Sequence, residues 1–426
     1  MSFTPGLRQI AFFRWAVLVL AVLLAPTMAA RAEPVAIVGG ADYELIATYD
    51  LDRLAQVFTS DLDDFMASST LPTGFRGRFA APEYPVKLYR VHYRSVVPEL
   101  DNRPTVASGL VAIPETGKAV MPMISYQHGT VFDRSYVPSN PDASMETRVM
   151  LAAFAAQGYI VIGADYFGRG ESDLPDSYLV RRSTQQATLD MLLTARDMMD
   201  QMRITPTHLF LSGWSQGGWA TTEFLHRLEE TGIQPTAAAA ASPPVDIFLA
   251  MNRWLNNPQP IDAVYIPGCA VLQILAQEHY YQKSGLAALA IRPEYLEIAR
   301  AFYDGKIDFE TFAAQTPAKL PDFLRTDFAR SGYVGASPYW QVLNTSPGYR
   351  MRSTTPLRVY YGGKDEVTPA DIAFLPEQTQ KIVGGAPVKT VYAGDEADHR
   401  GVFLFGVLDQ KAWFDELLRT APPAAP

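Results

Sequence analysis

An alternation of apolar, strand-like runs with helical runs dominates the chain from residue 121 onward. The strand-like runs include "MPMISYQHG" (121–129), "IVIGADYFGRG" (160–170) and "HLFLSGWSQGG" (208–218), and helical runs at 150–159 and 184–202 separate them. Parallel strands require a crossover connection, which is usually a helix. The alternation therefore predicts an α/β protein with a mostly parallel central sheet flanked by helices.

The alternation stops at about residue 248 and resumes at about residue 350. The intervening stretch is rich in aromatic and helix-forming runs and is too long for an ordinary connection. Strands are expected again in 356–369 and 386–399. The predicted organisation is a core formed by 33–247 and 350–426, with a mainly helical cap, or lid, inserted at 248–349.

The region before residue 121 is expected to differ from the rest. Residues 43–67 carry apolar residues at helical spacing, which predicts one or two surface helices. The β-rich runs 86–97 and 105–114 are separated by "PELDNRP" and predict an antiparallel pair.

The N-terminus has the features of a secretory signal peptide. Arg8 and Arg14 precede an apolar run of eleven residues, and Ala30 and Ala32 form an A-x-A pattern. An uncleaved membrane anchor is the alternative, but a span needs about 20 apolar residues. We therefore predict cleavage after Ala32, export to the periplasm or the medium, and no stable membrane insertion of the mature chain.

Charge and cysteine content exclude several other classes. The formal net charge is −9, and an acidic protein repels phosphate backbones, so a nucleic acid partner is not expected. Cys269 is the only cysteine, so an intramolecular disulfide and a cysteine-rich metal site are both excluded. Cys269 is expected to be a small core residue.

The fragment "LFLSGWSQGG" contains a serine between glycines at the junction of a predicted strand and a predicted helix. A plain turn would also fit the letters G-W-S-Q-G. In the strand–turn–helix context, however, a G-x-S-x-G sequence is typical of a strained elbow that exposes a nucleophilic serine. Small residues are required on both sides of that serine, and Gly213 and Gly217 occupy these positions.

A serine nucleophile needs a histidine base and an acid that orients the base. The chain has six histidines: His92, His128, His208, His226, His279 and His399. In this type of elbow the chain order is serine, acid, histidine. His226 follows Ser215 too closely and His279 lies in the predicted cap, so His399 is the predicted base, in a loop after the last strand.

The acid is expected in the loop after the preceding strand, within "VYYGGKDEVTP". Asp365 is the predicted acid, and its neighbour Glu366 is the alternative. Asp395 and Asp398 lie beside His399 in the sequence and are expected to be solvated.

An oxyanion would need preorganised N–H donors. The backbone N–H of Gln216, directly after the serine, is one candidate. The loop "SYQHGT" supplies Thr130 as the other, through its N–H, with its hydroxyl as a further candidate donor and with Gly129 permitting close approach. His128 is placed at the substrate site, where it braces this loop and does not act as the base.

Together these motifs resemble the α/β-hydrolase superfamily. The matching segments are "SYQHGT", "ADYFGRGESD", "SGWSQGG", "GGKDEVTP" and "DH", in that order across residues 121–399. A narrower likeness points to secreted lipases and esterases with a helical cap. "QHGT" departs from the glycine-rich "HGGG" run of many lipases, which leaves the second oxyanion donor open. Asp165 and Gly168 are expected to have structural roles.

The resemblance implies a serine hydrolase that cleaves carboxylic esters through an acyl-enzyme, without a metal or organic cofactor. Ser215 would be the nucleophile, Asp365 the acid, His399 the base, and Gln216 and Thr130 the oxyanion donors.

Three other functions remain to be considered. A serine peptidase or amidase on the same fold would use the same triad, with Glu278 or Glu294 as candidates to hold a substrate ammonium. A dehalogenase or epoxide hydrolase is disfavoured, because it needs a carboxylate in place of Ser215. A catalytically inactive binding protein is the alternative outside the enzymes.

A small-molecule ester is the expected partner. Trp214, next to the serine, is the predicted substrate contact. The cap supplies further aromatic candidates for an apolar pocket: Phe248, Trp254, Tyr265, Tyr280 and Tyr281.

Overall fold

The computed structural model describes residues 33–37, 39–67, 69, 78–330, 338–344 and 347–420. The predicted signal peptide, residues 1–32, lies outside the described residues. All the described residues belong to the compact unit Ala32–Pro426. None of their helices is both long enough and apolar enough to cross a membrane.

The described strands form one sheet with two parts. The strands are β1 Val35–Ile37, β2 Ala41–Tyr49, β3 Val86–Val97, β4 Arg103–Pro114, β5 Val120–Gln127, β6 Ile160–Ala164, β7 Thr205–Trp214, β8 Ala237–Ala241, β9 Leu357–Tyr361 and β10 Val388–Tyr392. Their order in the sheet is β1-β2-β3-β4-β6-β5-β7-β8-β9-β10. The strands from β1 to β4 are antiparallel, β4 pairs with β6 in antiparallel fashion, and the strands from β6 to β10 are parallel.

Helices cover the parallel part of the sheet and fill the stretch between β8 and β9. The α-helices in the described residues are α1 Leu51–Gln56, α2 Leu62–Met66, α3 Met145–Ala153, α4 Arg181–Gln201, α5 Gln216–Glu230, α6 Ile247–Asn256, α7 Ile266–Tyr280, α8 Leu286–Ala290, α9 Pro293–Tyr303, α10 Phe309–Ala314, α11 Leu320–Phe323, α12 Thr326–Arg330, α13 Pro338–Asn344, α14 Leu375–Val383 and α15 His399–Thr420. A π-helical turn, Val57–Asp61, joins α1 to α2, and 3₁₀ turns occur at Pro98–Leu100, Ala155–Gln157 and Ala370–Phe374.

The hydrophobic core lies on both faces of the sheet. In β7, Leu209 and Leu211 pack into the core on one face, and Phe210 packs into the core on the other. Strands β6 and β8 are buried along their whole length, as expected for parallel strands with helices on both sides. Their sequences, IVIGA and AAAAA, accordingly lack the alternation of a half-exposed strand.

Strand register brings the loops of the candidate site to one edge of the sheet. Gln127, the last residue of β5, pairs with Gly213 of β7, and Gly213 pairs with Ala240 of β8. Parallel strands end in the same direction, so the loops that follow β5, β7 and β8 emerge side by side. This edge is where open α/β sheets bind ligands.

Two sequence predictions about local structure were wrong. Residues 43–49 were expected to be helical but belong to β2, which pairs with β3. The helix starts only after Asp50, whose side chain accepts a hydrogen bond from the Arg53 N–H at 2.8 Å. His399 was placed in a loop but is the first residue of α15.

Candidate active site

Ser215 occupies a sharp corner between β7 and α5. Its backbone angles are φ 58° and ψ −123°, a left-handed φ that is uncommon for a residue with a side chain. Such a conformation costs on the order of 1–3 kcal/mol and persists only where the surroundings enforce it.

The glycines on either side are required by close backbone contacts. A Cβ atom at Gly213 would lie 2.1 Å from the carbonyl oxygen of Gly217, and one at Gly217 would lie 1.9 Å from that of Gln127. Both distances are far below van der Waals contact. No other residue type fits these positions without moving β5, β7 or α5.

His399 and Asp365 form a buried pair. His399 Nδ1 lies 2.9 Å from Asp365 Oδ1, and the two side chains are 4% and 3% exposed. Burial favours the neutral imidazole, but the negative charge of Asp365 and its hydrogen bond outweigh burial and raise the pKa of His399. The ring is held through Nδ1, so Nε2 is the nitrogen left to exchange protons.

Several donors converge on the Asp365 carboxylate. It accepts hydrogen bonds from the Ser242 hydroxyl (2.5 Å) and from the N–H groups of Val367 (3.0 Å) and Thr368 (2.8 Å). Burial works to raise the pKa of Asp365, but the charge of His399 and these hydrogen bonds lower it on balance. The carboxylate is therefore ionised and fixed in orientation.

The other acids near His399 contact it differently or not at all. Glu366 accepts a hydrogen bond from the backbone N–H of His399 at 2.9 Å, not from its ring. Asp398 was expected to be solvated, but it is only 7% exposed. It accepts a hydrogen bond from the Gly401 N–H (2.7 Å) and thereby caps the start of α15. It also accepts one from the Ser69 hydroxyl (2.9 Å). Asp395 is exposed and pairs with the Tyr392 hydroxyl.

The two predicted oxyanion donors border the same space as Ser215. Gln216 is the first residue of α5, and the first N–H groups of a helix have no acceptor within the helix. In the loop after β5, the Gly129 N–H donates to Glu146, which leaves the N–H of Thr130 as the next donor along the chain. The Thr130 hydroxyl is hydrogen-bonded to the Tyr178 hydroxyl at 2.9 Å.

His128 lies beneath this loop and outside the lining of the cavity described below. Its ring nitrogens lie 2.8 Å from the Gly129 carbonyl oxygen and 3.2 Å from that of Asp165. Burial lowers the pKa of His128 to about 4, so the ring is neutral at pH 7. This placement suits the predicted bracing role and not contact with a substrate. Asp165 is itself buried and accepts hydrogen bonds from the Ser108 hydroxyl and the Ser139 N–H.

Trp214 borders the candidate site and contacts His399. Its indole N–H donates to the His399 carbonyl oxygen at 3.0 Å, and its ring stacks on Phe403 with centroids 5.0 Å apart.

A cavity of about 1210 Å³ opens over Ser215. Ser215, Gln216, Thr130, Trp214 and His399 line it on the sheet side. The helical insertion between β8 and β9 also lines the cavity. Its apolar and aromatic lining residues include Met251, Trp254, Tyr265, Ile266, Cys269, Ala270, Leu272 and Phe302, and its polar ones include Gln273, Asp304, Lys306, Asp308 and Glu310. Of the predicted cap aromatics, Trp254 and Tyr265 thus reach the cavity, whereas Phe248, Tyr280 and Tyr281 are outside its lining. Cys269 is buried as predicted, and it also faces the cavity.

The helical insertion is bonded directly to the loop that carries Asp365. The Trp254 indole N–H donates to the Val367 carbonyl oxygen at 3.0 Å. The Ala263 N–H donates to the Glu366 carbonyl oxygen at 2.9 Å. These two contacts link the lining of the cavity to the position of the acid.

Sequence reasoning missed Glu146, whose buried carboxyl group contacts the loop after β5 that carries Gly129 and Thr130. Both of its oxygens accept from the Gly129 N–H, and burial raises the pKa of Glu146 to about 8. Nothing in the sequence pairs Glu146 with Gly129, because α3 reaches this loop only in the folded chain. Ser242 was more accessible to prediction, since it directly follows β8 at the edge where ligands bind.

Among the described residues, no group of three or more His, Cys, Asp or Glu side chains is arranged to hold a metal ion.

No protein-family model matches the chain, and a comparison with curated proteins found no match. Solved structures are similar over most of their length. A putative hydrolase from Legionella pneumophila has 22% identity and a TM-score of 0.77, over 89% of this chain and 98% of that one. The rice cell wall degrading esterase LipA from Xanthomonas oryzae has 19% identity and a TM-score of 0.72, over 92% and 98%.

Candida antarctica lipase A in its closed state is a more distant neighbour, with 16% identity and a TM-score of 0.60, over 81% of this chain and 84% of that one. These likenesses confirm the predicted fold. The protein has an α/β-hydrolase fold, in which a mostly parallel sheet carries a helical insertion.

Proposed function

We propose that this protein is a serine hydrolase that cleaves carboxylic esters through a Ser215–His399–Asp365 triad and an acyl-enzyme intermediate. The observation that carries the proposal is the buried His399–Asp365 pair beside the same cavity as Ser215. The strained elbow at Ser215 adds support, since backbone strain of this kind concentrates at functional sites.

The reaction follows from the placement of these groups. Ser215 Oγ attacks the ester carbonyl while His399 Nε2 takes the hydroxyl proton. The resulting imidazolium is stabilised by Asp365, and the oxyanion by the N–H groups of Gln216 and Thr130. The alcohol leaves with the proton from His399, and water repeats the sequence on the acyl-enzyme.

A small-molecule ester is the proposed substrate, because the cavity side of the insertion is largely apolar and aromatic. Two structural neighbours, LipA and lipase A, are an esterase and a lipase. Residues 1–32 are proposed to be removed on export, and N-terminal sequencing of the exported protein tests this.

An aminopeptidase is less well supported. Glu278, one candidate for holding a substrate ammonium, is paired with Arg300 at 2.7 Å and lies outside the lining of this cavity. Glu294, the other candidate, is exposed and also lies outside it.

The decisive experiment compares wild type with Ser215→Ala on two substrate panels. One panel is a ladder of 4-nitrophenyl esters from acetate to palmitate, and the other is a set of aminoacyl 4-nitroanilides. We expect ester turnover that falls by roughly three or more orders of magnitude in the variant, the scale expected for a triad member. Turnover of the anilides alone would replace the ester proposal with a peptidase or amidase.

Fluorophosphonate labelling separates the remaining outcomes. Labelling of wild type but not of Ser215→Ala, with no ester turnover, means that the substrate panel was wrong. Binding of ester-like ligands without any labelling would indicate an inactive binding protein.

A further inference from the structure

Gln273, in α7, is a buried polar side chain that faces the cavity over Ser215. It is 1% exposed and lines that cavity. Within the described part of the chain, neither its Nε2 nor its Oε1 has a hydrogen-bond partner. Because both atoms are unpaired, exchanging the amide oxygen and nitrogen would not change this result. Leaving such a group unpaired costs about 1–3 kcal/mol.

The position of Gln273 relative to the catalytic groups follows from the face of α7 that carries it. Cys269 and Tyr280 lie on the same face, at helical spacing. The Cys269 thiol interacts with the Tyr178 hydroxyl, which is itself hydrogen-bonded to Thr130. The Tyr280 hydroxyl donates to the Pro175 carbonyl oxygen at 2.7 Å. This face of α7 therefore packs along the loop that runs from Pro175 to Tyr178.

Gln273 lies four residues beyond Cys269, which is about 6 Å along a helix. The sequence of contacts Thr130–Tyr178–Cys269 thus leads from the proposed oxyanion site to the region of the cavity beneath Gln273. A substrate with its scissile carbonyl at Ser215 would extend from there toward the Gln273 amide.

A pair of oppositely charged side chains also lines this cavity. Arg169 and Asp176 are joined at 2.5 Å and their side chains are 8% and 7% exposed. Their charges compensate each other, so the pair does not favour a charged ligand. Ala270 and Phe302 also line this cavity from the helical insertion. A purely hydrocarbon group here would leave the amide unpaired.

We propose that Gln273 is a specificity-determining residue and that the part of the ester beneath α7 carries an uncharged hydrogen-bonding group, such as a carbonyl, ether or hydroxyl. This inference rests on the proposed esterase function. The amide both donates and accepts, so it can bind any of these groups. A substrate without such a group would leave the buried amide unpaired, and the site would therefore discriminate strongly against that substrate.

The test uses two pairs of esters in which one methylene is replaced by oxygen. The acyl pair is 4-nitrophenyl pentanoate and 4-nitrophenyl 3-methoxypropanoate. The alcohol pair is butyl acetate and 2-methoxyethyl acetate. The measured quantity is the ratio of kcat/KM for the ether to that for the alkyl ester, in wild type and in Gln273→Met, which keeps the side-chain volume without the amide. Comparing variants removes the difference in intrinsic reactivity of the esters.

Gln277→Met is the matched control. Gln277 lies one turn further along α7, is also buried, and has an unpaired Oε1, but it is outside the cavity lining. We expect Gln273→Met to lower the ether-to-alkyl ratio about tenfold in one of the two pairs, the scale of one hydrogen bond. We expect Gln277→Met to keep the wild-type ratio. The pair that responds identifies whether the acyl or the alcohol part lies beneath α7.

Two other results would count against the inference. Equal ratios in wild type and Gln273→Met, for both pairs, overturn it while ester turnover leaves the proposed function intact. An equal loss in Gln277→Met would assign the effect to α7 packing and not to the cavity. Absence of ester turnover together with absence of fluorophosphonate labelling would refute the proposed function itself.

Discussion

Both carboxyl oxygens of Glu146 accept a hydrogen bond from the N–H of Gly129, at 3.1 and 2.9 Å. This contact fixes the loop after β5 at Gly129, the residue directly before Thr130, whose N–H is the proposed oxyanion donor. Glu146 is thus placed to act as a positioning residue for that donor.

Removing the Glu146 carboxyl group is expected to lower kcat. Glu146→Ala leaves the Gly129 N–H unpaired and releases the loop, with an expected loss of about tenfold to a hundredfold, below the cost of deleting an oxyanion donor. Glu146→Gln keeps an acceptor and should retain most of the rate. The control is Glu223→Gln, since Glu223 is also buried but is outside the cavity lining. Similar kcat values for all three variants and wild type would remove Glu146 from the site.

The pH dependence of stability should carry the signature of Glu146. Burial raises its pKa to about 8 in the folded protein, above the ordinary value of about 4.3 in the unfolded chain. The protonated form is therefore favoured by folding. Its contribution is complete below about pH 4 and is lost as pH rises toward 8.

Glu146→Gln cannot ionise, so the free energy of unfolding of wild type relative to this variant should fall between pH 5 and pH 8, by an amount on the order of a few kcal/mol at most. The Tm of wild type relative to the variant should fall with it. Thermal melts across this pH range measure it. If the difference in Tm between wild type and Glu146→Gln does not change with pH, the carboxyl group of Glu146 is already ionised or solvated in the folded protein.

As the pH is lowered, ester hydrolysis should lose activity at a higher pH than it would with an ordinary histidine as the base. Asp365 raises the pKa of His399 against the effect of burial, and the base must be neutral to act. The acidic limb of kcat/KM is therefore expected to lie above the ordinary value of about 6.5. In Asp365→Asn this limb should shift to lower pH, with a loss in kcat of roughly four orders of magnitude.

Glu366→Gln is the control for that experiment, because Glu366 contacts only the backbone N–H of His399. We expect a much smaller rate loss and a smaller shift of the acidic limb. If instead Glu366→Gln is the more damaging change, the acid of the triad has been assigned to the wrong neighbour.

Gly217→Ala should destabilise the protein although it lies in a helix. Gly to Ala in a helix interior normally stabilises by roughly 0.5–1 kcal/mol. Here the added Cβ would lie 1.9 Å from the Gln127 carbonyl oxygen, so we expect a lower Tm and impaired activity. In α15, Gly406→Ala meets its nearest atom at 3.3 Å and should be nearly neutral. A Tm gain for Gly217→Ala would mean that the elbow is looser than described.

Thr130→Val separates the two donors of that residue. The Thr130 hydroxyl is engaged by Tyr178, so the backbone N–H is expected to carry the oxyanion contact. We expect kcat to fall by less than about tenfold in Thr130→Val, and similarly in Tyr178→Phe, against about a hundredfold or more for loss of a true donor. A hundredfold loss in Thr130→Val, with Thr130→Ser active, would assign the contact to the hydroxyl.

The local parts of the site were accessible from sequence. The strand–turn–helix pattern around Ser215 and the chain order of Asp365 and His399 depend on short segments whose signals are strong. The helical start at His399 was missed although a signal existed, since Asp398 is an N-cap residue at the head of a long helical run.

The remaining features depend on contacts between distant segments. Residues 43–49 carry apolar residues that also fit a helix, and pairing with the neighbouring strands β1 and β3 makes them a strand. Glu146 meets Gly129 because α3 packs under the loop, and Gln273 is one of many buried residues of α7, whose sequence shows no polar face. Periodicity cannot indicate which side of such a helix meets a cavity.

The helical insertion leaves the sheet after β8 and returns to its immediate neighbour β9, so its two ends are close together. Such a segment can be grafted between relatives or remodelled by evolution without altering the strand order. Trp254 and Ala263, however, donate hydrogen bonds to backbone carbonyl oxygens of the loop that carries Asp365. A foreign segment that lacks these two donors is expected to loosen the loop bearing Asp365, whereas a graft that keeps both donors is expected to preserve the position of this carboxylate.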